Sequence, residues 1–476
     1  MKSNHTISSI ALGAAILSAG TIHAFAQEET LKSLAAERGR YVGAILNSGW
    51  FNGSLGGDQQ KFEETHKAQF NAVVAENEMK FDATEPNNNR FSYSNGDKMV
   101  KYAKENGMRV RGHALAWHSQ VPGWVSSGNY NKEQLLKILK NHIDSVVTHW
   151  KGQVDEWDVV NEAINDDPNH GWRTGSIWFS TIGAEFLDSA FVWAHAADPD
   201  AELCYNDYAI EWGIGNGSKA GFLLEQVKRW KDNGIPITCV GTQTHIENSH
   251  IGTPENVRTL ARELAKLDIT LNITELDIGF PQGTNPTPEQ LAQQGHLYRQ
   301  FMDVFLEEPN MGEFMIWGVS DKYSWLDQSQ GKTKGLIYDN NFNPKPAYDS
   351  LIASLKAHSP ESVKSPYSAK ITSSASAESS SSAMTEVSSS DGISSSGTDG
   401  ISPMHNPQGI SMRLAGRTLS IAGATSATVD VFDMQGRPVF RSKCEKGSVE
   451  LNIAEGLYMV RVRDGSASLV QKVAVK

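Results

Sequence analysis

The chain has 476 residues, 39% of them hydrophobic and 21% charged, with a formal net charge of −12. That length accommodates one large barrel of roughly 250 residues or more with a small appendage. The negative charge argues against a general binder of nucleic acid or anionic membrane, and it leaves neutral partners such as a sugar polymer.

The N-terminus reads as an export signal over residues 1–26. Lys2 supplies a thin positive region, Ile7 to Gly20 is dominated by apolar and small residues, and Ala24-Phe25-Ala26 has the small-x-small pattern of a cleavage site. The apolar run is shorter than the ~20 residues a membrane span needs.

Over residues 27–357 one rhythm repeats. A short apolar strand ends in polar or aromatic residues and is followed by a helical stretch. The strand candidates are Tyr41–Leu46, Ala72–Ala75, Arg109–Gly112, Glu156–Val160, Glu202–Tyr205, Thr238–Gly241, Thr270–Ile273 and Glu313–Ile316. Amphipathic stretches such as Lys132–Thr148 and Glu255–Leu267 lie between them, and Asn106-Gly107 and Asn233-Gly234 punctuate helix ends. Strands alternating with helices indicate an α/β protein with a parallel sheet, and eight strands close a (β/α)8 TIM barrel. Residues 358–404 are Ser-rich with few large apolar side chains, a composition expected of a flexible linker. Residues 405–476 carry short Val-, Leu- and Ile-rich runs split by turn signals such as Gln435-Gly436 and Asp464-Gly465, the pattern of a small all-β sandwich.

The chemically capable residues cluster where strands end. Glu76-Asn77-Glu78-Met79-Lys80 follows the second strand and His113 to Gln120 the third. Asn161-Glu162, Asn206-Asp207-Tyr208, Gln243-Thr244-His245, Glu275-Leu276-Asp277 and Trp317 follow the next five, with Trp325 soon after. In a parallel barrel all these ends open on one face, which holds the active site. Strands four and seven lie nearly opposite each other, so Glu162 and Glu275 can face one another across a substrate. Cleaving a sugar–sugar bond with retention needs two carboxyl groups roughly 5–5.5 Å apart, one as nucleophile and one as acid and then base.

Six motifs in order resemble glycoside hydrolase family 10. They are Glu76 to Lys80, Gly112 to Gln120, Trp157 to Ala163, Gly241 to His245, Ile273 to Ile278, and Trp317-Gly318-Val319-Ser320-Asp321. The resemblance spans roughly Leu34 to Leu355. It implies a (β/α)8 barrel with retaining endo-β-1,4-xylanase activity on xylan and xylo-oligosaccharides, needing no cofactor and no metal. It implies Glu162 as acid/base and Glu275 as nucleophile. Asn161 matches a residue that bonds the 2-hydroxyl of the sugar being cleaved. His245 matches a partner of the nucleophile, and Asp277 a residue that orients that histidine. Glu76, Asn77 and Lys80 match a polar grip further into the glycone side, with His113, Trp117, Gln120 and Gln243 as further binding residues. Trp317 and Trp325 match an aromatic cover, and Tyr208 a platform on the leaving-group side. The family often has Asn after that Tyr; here it is Ala209, and Glu211 is a candidate to compensate.

Some family members pair cysteines at positions matching Cys204 and Cys239, which implies a disulfide and leaves Cys444 unpaired. The tail stretches Asp430 to Arg437, Gly456 to Val462 and Lys472 to Lys476 resemble C-terminal sorting domains of the type IX secretion route. That resemblance implies an extracellular or cell-surface protein that meets export machinery. Rival readings are a carbohydrate-binding tail, a β-1,4-glucanase, a non-catalytic sugar-binding barrel, and a metal-dependent hydrolase built on His113, His118 and His245. Both glutamates argue against a binding-only barrel, which needs neither.

Overall fold

The computed structural model describes residues 29–366, except 169 and 216, and residues 411–475, except 424–426, 434–437, 445–446 and 465–466. The expected export signal over 1–26 lies outside the described residues, as does the expected linker from 367 onward.

Eight parallel strands form the barrel: Tyr41–Leu46, Ala72–Ala75, Arg109–Trp117, Glu156–Asn161, Glu202–Asp207, Cys239–Thr242, Thr270–Pro281 and Met311–Ile316. Each pairs with the next. The eighth pairs with the first, from Tyr41 beside Glu313 to Ala44 beside Ile316, and this closes the barrel. Several of these strands are buried along their whole length, as strands covered on both faces must be.

The helices bury one face against this barrel. Lys132–His149 turns Leu135, Leu139, Ile143 and Val146 inward, and Asn131 with Gln134 closes its start as a capping box. Thr287 and Gln290 cap Pro288–Glu307 in the same way. Among the described residues no helix is long and apolar enough to cross a membrane.

Strands four, five and eight run one or two residues longer than the sequence reading expected, and two others run much longer. The third continues from Gly112 to Trp117. The seventh continues from Ile273 to Pro281, because a short strand His245–Glu247 and a two-residue strand Lys332–Thr333 pair with its far end. Glu275 therefore lies within a paired strand rather than at its tip. The ladder slips at His113/Ala116, at Asp158/Val160 and between Leu271 and Leu276. Such irregularities re-aim side chains, and these flank His113, Glu162 and Glu275.

Polar groups occupy part of the barrel interior. Arg111, 1% exposed, bonds Glu156 and Asp158, while Arg109 bonds Glu313. Asn272 donates to Glu156 at 2.7 Å. A buried charge left without its partner costs about 3–5 kcal/mol, so these groups belong together or not at all. At the barrel base, Arg38 Nε donates to the His358 carbonyl at 2.7 Å and Arg40 bonds the Lys364 carbonyl. The chain thus still holds to the barrel for several residues beyond 357.

Cys204 and Cys239 face each other in register on strands five and six and form a disulfide. Their 35-residue separation corresponds to roughly 4 kcal/mol of restricted unfolded-state entropy. Cys444 is free and buried. Thiol titration of the denatured, unreduced protein should therefore find one thiol, rising to three after reduction; three at the outset would remove the bridge.

Residues 411–475 form two antiparallel sheets. Ser411–Ala415, Thr418–Ala422 and Ser448–Glu450 make one. Pro438–Cys444, Ala427–Asp433, Gly456–Asp464 and Ala467–Val475 make the other. Leu419, Val429, Val431, Leu451, Val460 and Val462 share one apolar core, as the alternation of a sandwich requires.

Candidate active site

The candidate residues of the large domain meet on the rim where the barrel strands end. Gln120, Glu162, Ala209 and Thr244, just past strands three to six, have φ of 45°, 53°, 60° and 61°. Left-handed backbone at non-glycine residues costs roughly 1–3 kcal/mol each and gathers at sites where position matters. At Glu162 the turn is held by its own N–H, which donates to the Asn206 carbonyl at 2.9 Å, and by Arg173 Nε, which donates to the Glu162 carbonyl at 3.0 Å.

Side-chain amides connect the two glutamates. Asn206 Nδ2 donates to Glu275 Oε1 at 2.8 Å, and the Asn206 and Asn161 amides meet at 3.0 Å. Gln243 Nε2 lies 3.3 Å from Asn161 and donates to Glu162 Oε1 at 3.0 Å. Trp117 Nε1 donates to Glu162 Oε2 at 2.8 Å, and His118 Nδ1 stands 3.8 Å from that same oxygen. Glu162 on strand four and Glu275 on strand seven are thus joined by one amide network. Gly241 makes room for this arrangement: any side chain there would collide with Asn206 Oδ1.

The partners of Glu275 set its charge. His245 Nε2 lies 3.2 Å from Glu275 Oε2, and His245 Nδ1 lies 2.9 Å from Asp277 Oδ2. Burial opposes charge on this imidazole, but Asp277 and Glu275 overcome it and raise His245 to about 10. Burial would also raise the Glu275 carboxyl. The His245 hydrogen bond, the fields of His113 and His245, and the Asn206 donor outweigh it and bring Glu275 down to about 2. At neutral pH Glu275 is therefore a carboxylate and His245 an imidazolium. Trp325 Nε1 donates to Asp277 Oδ2 at 2.9 Å, and its ring centroid lies 4.7 Å from that of His245. Trp317, 5% exposed, meets the His113 ring edge-on at 5.6 Å. His113 Nδ1 is held 2.8 Å from Asp158.

Beside the glutamates lies a polar grip. Lys80 Nζ donates to Asn77 Oδ1 at 2.9 Å and to Gln120 Oε1 at 2.8 Å, and it sits 4.8 Å over the Trp117 ring. Burial lowers its pKa, opposed by Glu275, Glu76 and Glu162. Glu76 accepts from the Ser48 N–H at 3.2 Å, and burial raises its carboxyl.

On the far side of Glu162, Tyr208 is fixed at several points. Its hydroxyl donates to Asp166 Oδ2 at 2.6 Å and accepts from Arg173 at 2.9 Å. Lys219 Nζ lies 3.6 Å over its ring and pairs with Asp207 at 2.8 Å. Glu211 does not stand on this side as a donor or acceptor for a sugar: it is 1% exposed and accepts from Thr242 at 3.2 Å.

Asn206, Arg173, Asp166 and Lys219 were given no role from sequence. Asn206 could have been found, since it follows the apolar run of strand five as Asn161 follows that of strand four. Arg173 and Lys219 carry no local signal; a loop residue and the first residue of the helix Lys219–Asp232, they meet Tyr208 only in the fold.

A closed parallel barrel with two carboxylates joined by amides, one of them held ionised, among further amides and aromatics is the construction of a glycosidase. Residues 30–354 match the model of glycosyl hydrolase family 10, and residues 415–476 match that of the secretion system C-terminal sorting domain. Over 336 residues the chain is 39% identical to endo-1,4-beta-xylanase B of Thermotoga neapolitana, covering 70% of this chain and 94% of that protein. It is 38% identical to endo-1,4-beta-xylanase 1 of Humicola insolens, covering 71% and 77%. The crystal structure of xylanase 10B from Thermotoga petrophila RKU-1 in complex with xylobiose superimposes with a TM-score of 0.66 at 36% identity, covering 70% of this chain and 98% of that one. The chain belongs to glycosyl hydrolase family 10.

Proposed function

We propose that this chain is an endo-1,4-β-xylanase that hydrolyses internal bonds of xylan with retention, using two glutamates. The observation that carries this reading is the pairing of an ionised Glu275, held at about 2, with Glu162 across one amide network. Glu275 attacks the anomeric carbon while Glu162 protonates the departing glycosidic oxygen. A covalent glycosyl–enzyme ester forms. Glu162 then takes a proton from water, the water attacks the anomeric carbon, and Glu275 is released as carboxylate. Two inversions give net retention.

Asn161 is suited to bond the 2-hydroxyl of the sugar being cleaved. Glu76, Asn77, Lys80, His113, Gln120 and Gln243 offer hydrogen bonds to the glycone sugars. Trp317 and Trp325 cover them and exclude water, and Trp117 braces Glu162. Tyr208 offers a flat face to the first leaving sugar.

Residues 1–26 act as an export signal, the barrel domain as the catalytic unit with residues 358–364 held against its base, the Ser-rich stretch that follows as a linker to 404, and 405–476 as a sorting domain. The match of residues 415–476 to a sorting-domain model supports passage through a secretion system to the exterior or the cell surface.

Reducing-sugar release from xylan, β-1,4-glucan and mannan, assayed in parallel, tests the activity. Xylan should be cleaved fastest, with a drop in viscosity early in the reaction; a greater rate on glucan would move the assignment to a glucanase. The histidine gives a second test. In His245→Gln, Glu275 loses its cationic neighbour while burial remains, so its pKa rises. The acid limb of the kcat/KM profile should then move to higher pH by one unit or more. An unmoved limb would mean that His245 does not set the charge of Glu275.

A further inference from the structure

Among the described residues four large apolar side chains stand exposed: Trp212, Ile214, Ile251 and Val439. Three of them lie on two loops that meet at one ring contact. The Trp212 and His250 rings meet edge to face, with centroids 4.5 Å apart. Ile251 follows His250, and Ile214 lies two residues after Trp212.

Trp212 is not a core residue that strayed. The short helix Ile210–Trp212 buries Ile210 and Glu211 and leaves Trp212 44% exposed. The indole is also held rather than loose: His250 Nδ1 accepts from the Glu247 N–H at 3.1 Å, which fixes the ring that Trp212 packs against. Both loops lead directly from the cleft. Trp212 comes four positions after Tyr208, and His250 five positions after His245. A fixed, exposed aromatic attached to the site from two sides marks an interaction surface.

We propose that Trp212 is a platform for the xylan chain on the leaving-group side, beyond the sugar over Tyr208. This rests on the xylanase reading above. The occupant follows from chemistry. A xylose ring has no hydroxymethyl group, so its C–H faces are flat and largely apolar and suit an indole. Its neutral charge suits a patch whose exposed members carry none. Ala209, which offers no side-chain donor beside Tyr208, leaves this side of the cleft more dependent on apolar contact.

Trp212→Ala and Trp212→Phe in the full-length protein test it, with kcat/KM measured on polymeric xylan and on p-nitrophenyl β-xylobioside. The aryl substrate places only its leaving group on this side and never reaches Trp212. Trp212→Ala should lower kcat/KM on xylan about tenfold, equivalent to about 1.4 kcal/mol, and leave the aryl substrate unchanged. Trp212→Phe should retain most of the xylan activity. If the parent protein is active on xylan and the ratio of the two substrates does not change in Trp212→Ala, the platform is wrong and the xylanase stands. Equal losses on both substrates would overturn the platform as well, showing a structural role. A parent with no activity on xylan would overturn the function and this use of Trp212 together.

Discussion

Glu275→Ala is expected to lower kcat on xylan by roughly four to five orders of magnitude, the scale seen when a nucleophile is removed outright. The reason is geometric as much as chemical. Glu275 is 5% exposed, and each of its oxygens is already aimed by a donor, Asn206 on one side and His245 on the other. No neighbouring carboxylate can replace it, because Asp277 is turned toward His245 and Trp325. The fold should survive, since His245 keeps its bond to Asp277 and Asn206 keeps its bond from Thr274. Azide can enter the vacated space and attack an activated aryl xylobioside from the face that Glu275 occupied. The product should be the inverted glycosyl azide, readable by NMR. A variant retaining near-parental rates on xylan would remove Glu275 from the mechanism.

Glu162→Ala should show a different signature. On xylan the leaving group is a sugar alkoxide that needs a proton, and loss of the acid should cost about 10²–10⁴-fold. On an aryl xyloside with a strongly acidic phenol the first step needs little help, so the loss there should be much smaller. The glycosyl–enzyme then accumulates, because no base activates water. Azide should accelerate its breakdown and give a product of retained configuration, opposite to that from Glu275→Ala. Trp117 Nε1 and Gln243 Nε2 lose their acceptor in this variant. The comparison between substrates therefore carries the test, since a general disturbance of the site would slow both alike. Equal losses on xylan and on the activated substrate would withdraw Glu162 as the acid.

Much of this site was legible before any coordinates. The strand–helix rhythm located the barrel, and the placement of carboxylates, amides and aromatics after each strand located the rim. The first two strands fall on the residues expected from their apolar runs. Other boundaries were less legible. Nothing in Leu276 to Pro281 alone shows that strand seven continues, because the partners that extend it, His245–Glu247 and Lys332–Thr333, come from distant loops. Asn206 could be placed after its strand's apolar run from sequence, but its partner could not. It sits 69 positions from Glu275 and becomes its donor only when strands five and seven are both in the closed barrel.

By itself, then, the sequence determined the elements, the order in which they follow, and the chemical types that gather at one rim. These depend on burial patterns and turn residues, which act over a few positions. Only the tertiary structure decided that Glu275 is held ionised, and what faces it. Glu275 is ionised because His245, Asn206 and His113 surround it from other strands, and an electrostatic field depends on distance in space rather than along the chain.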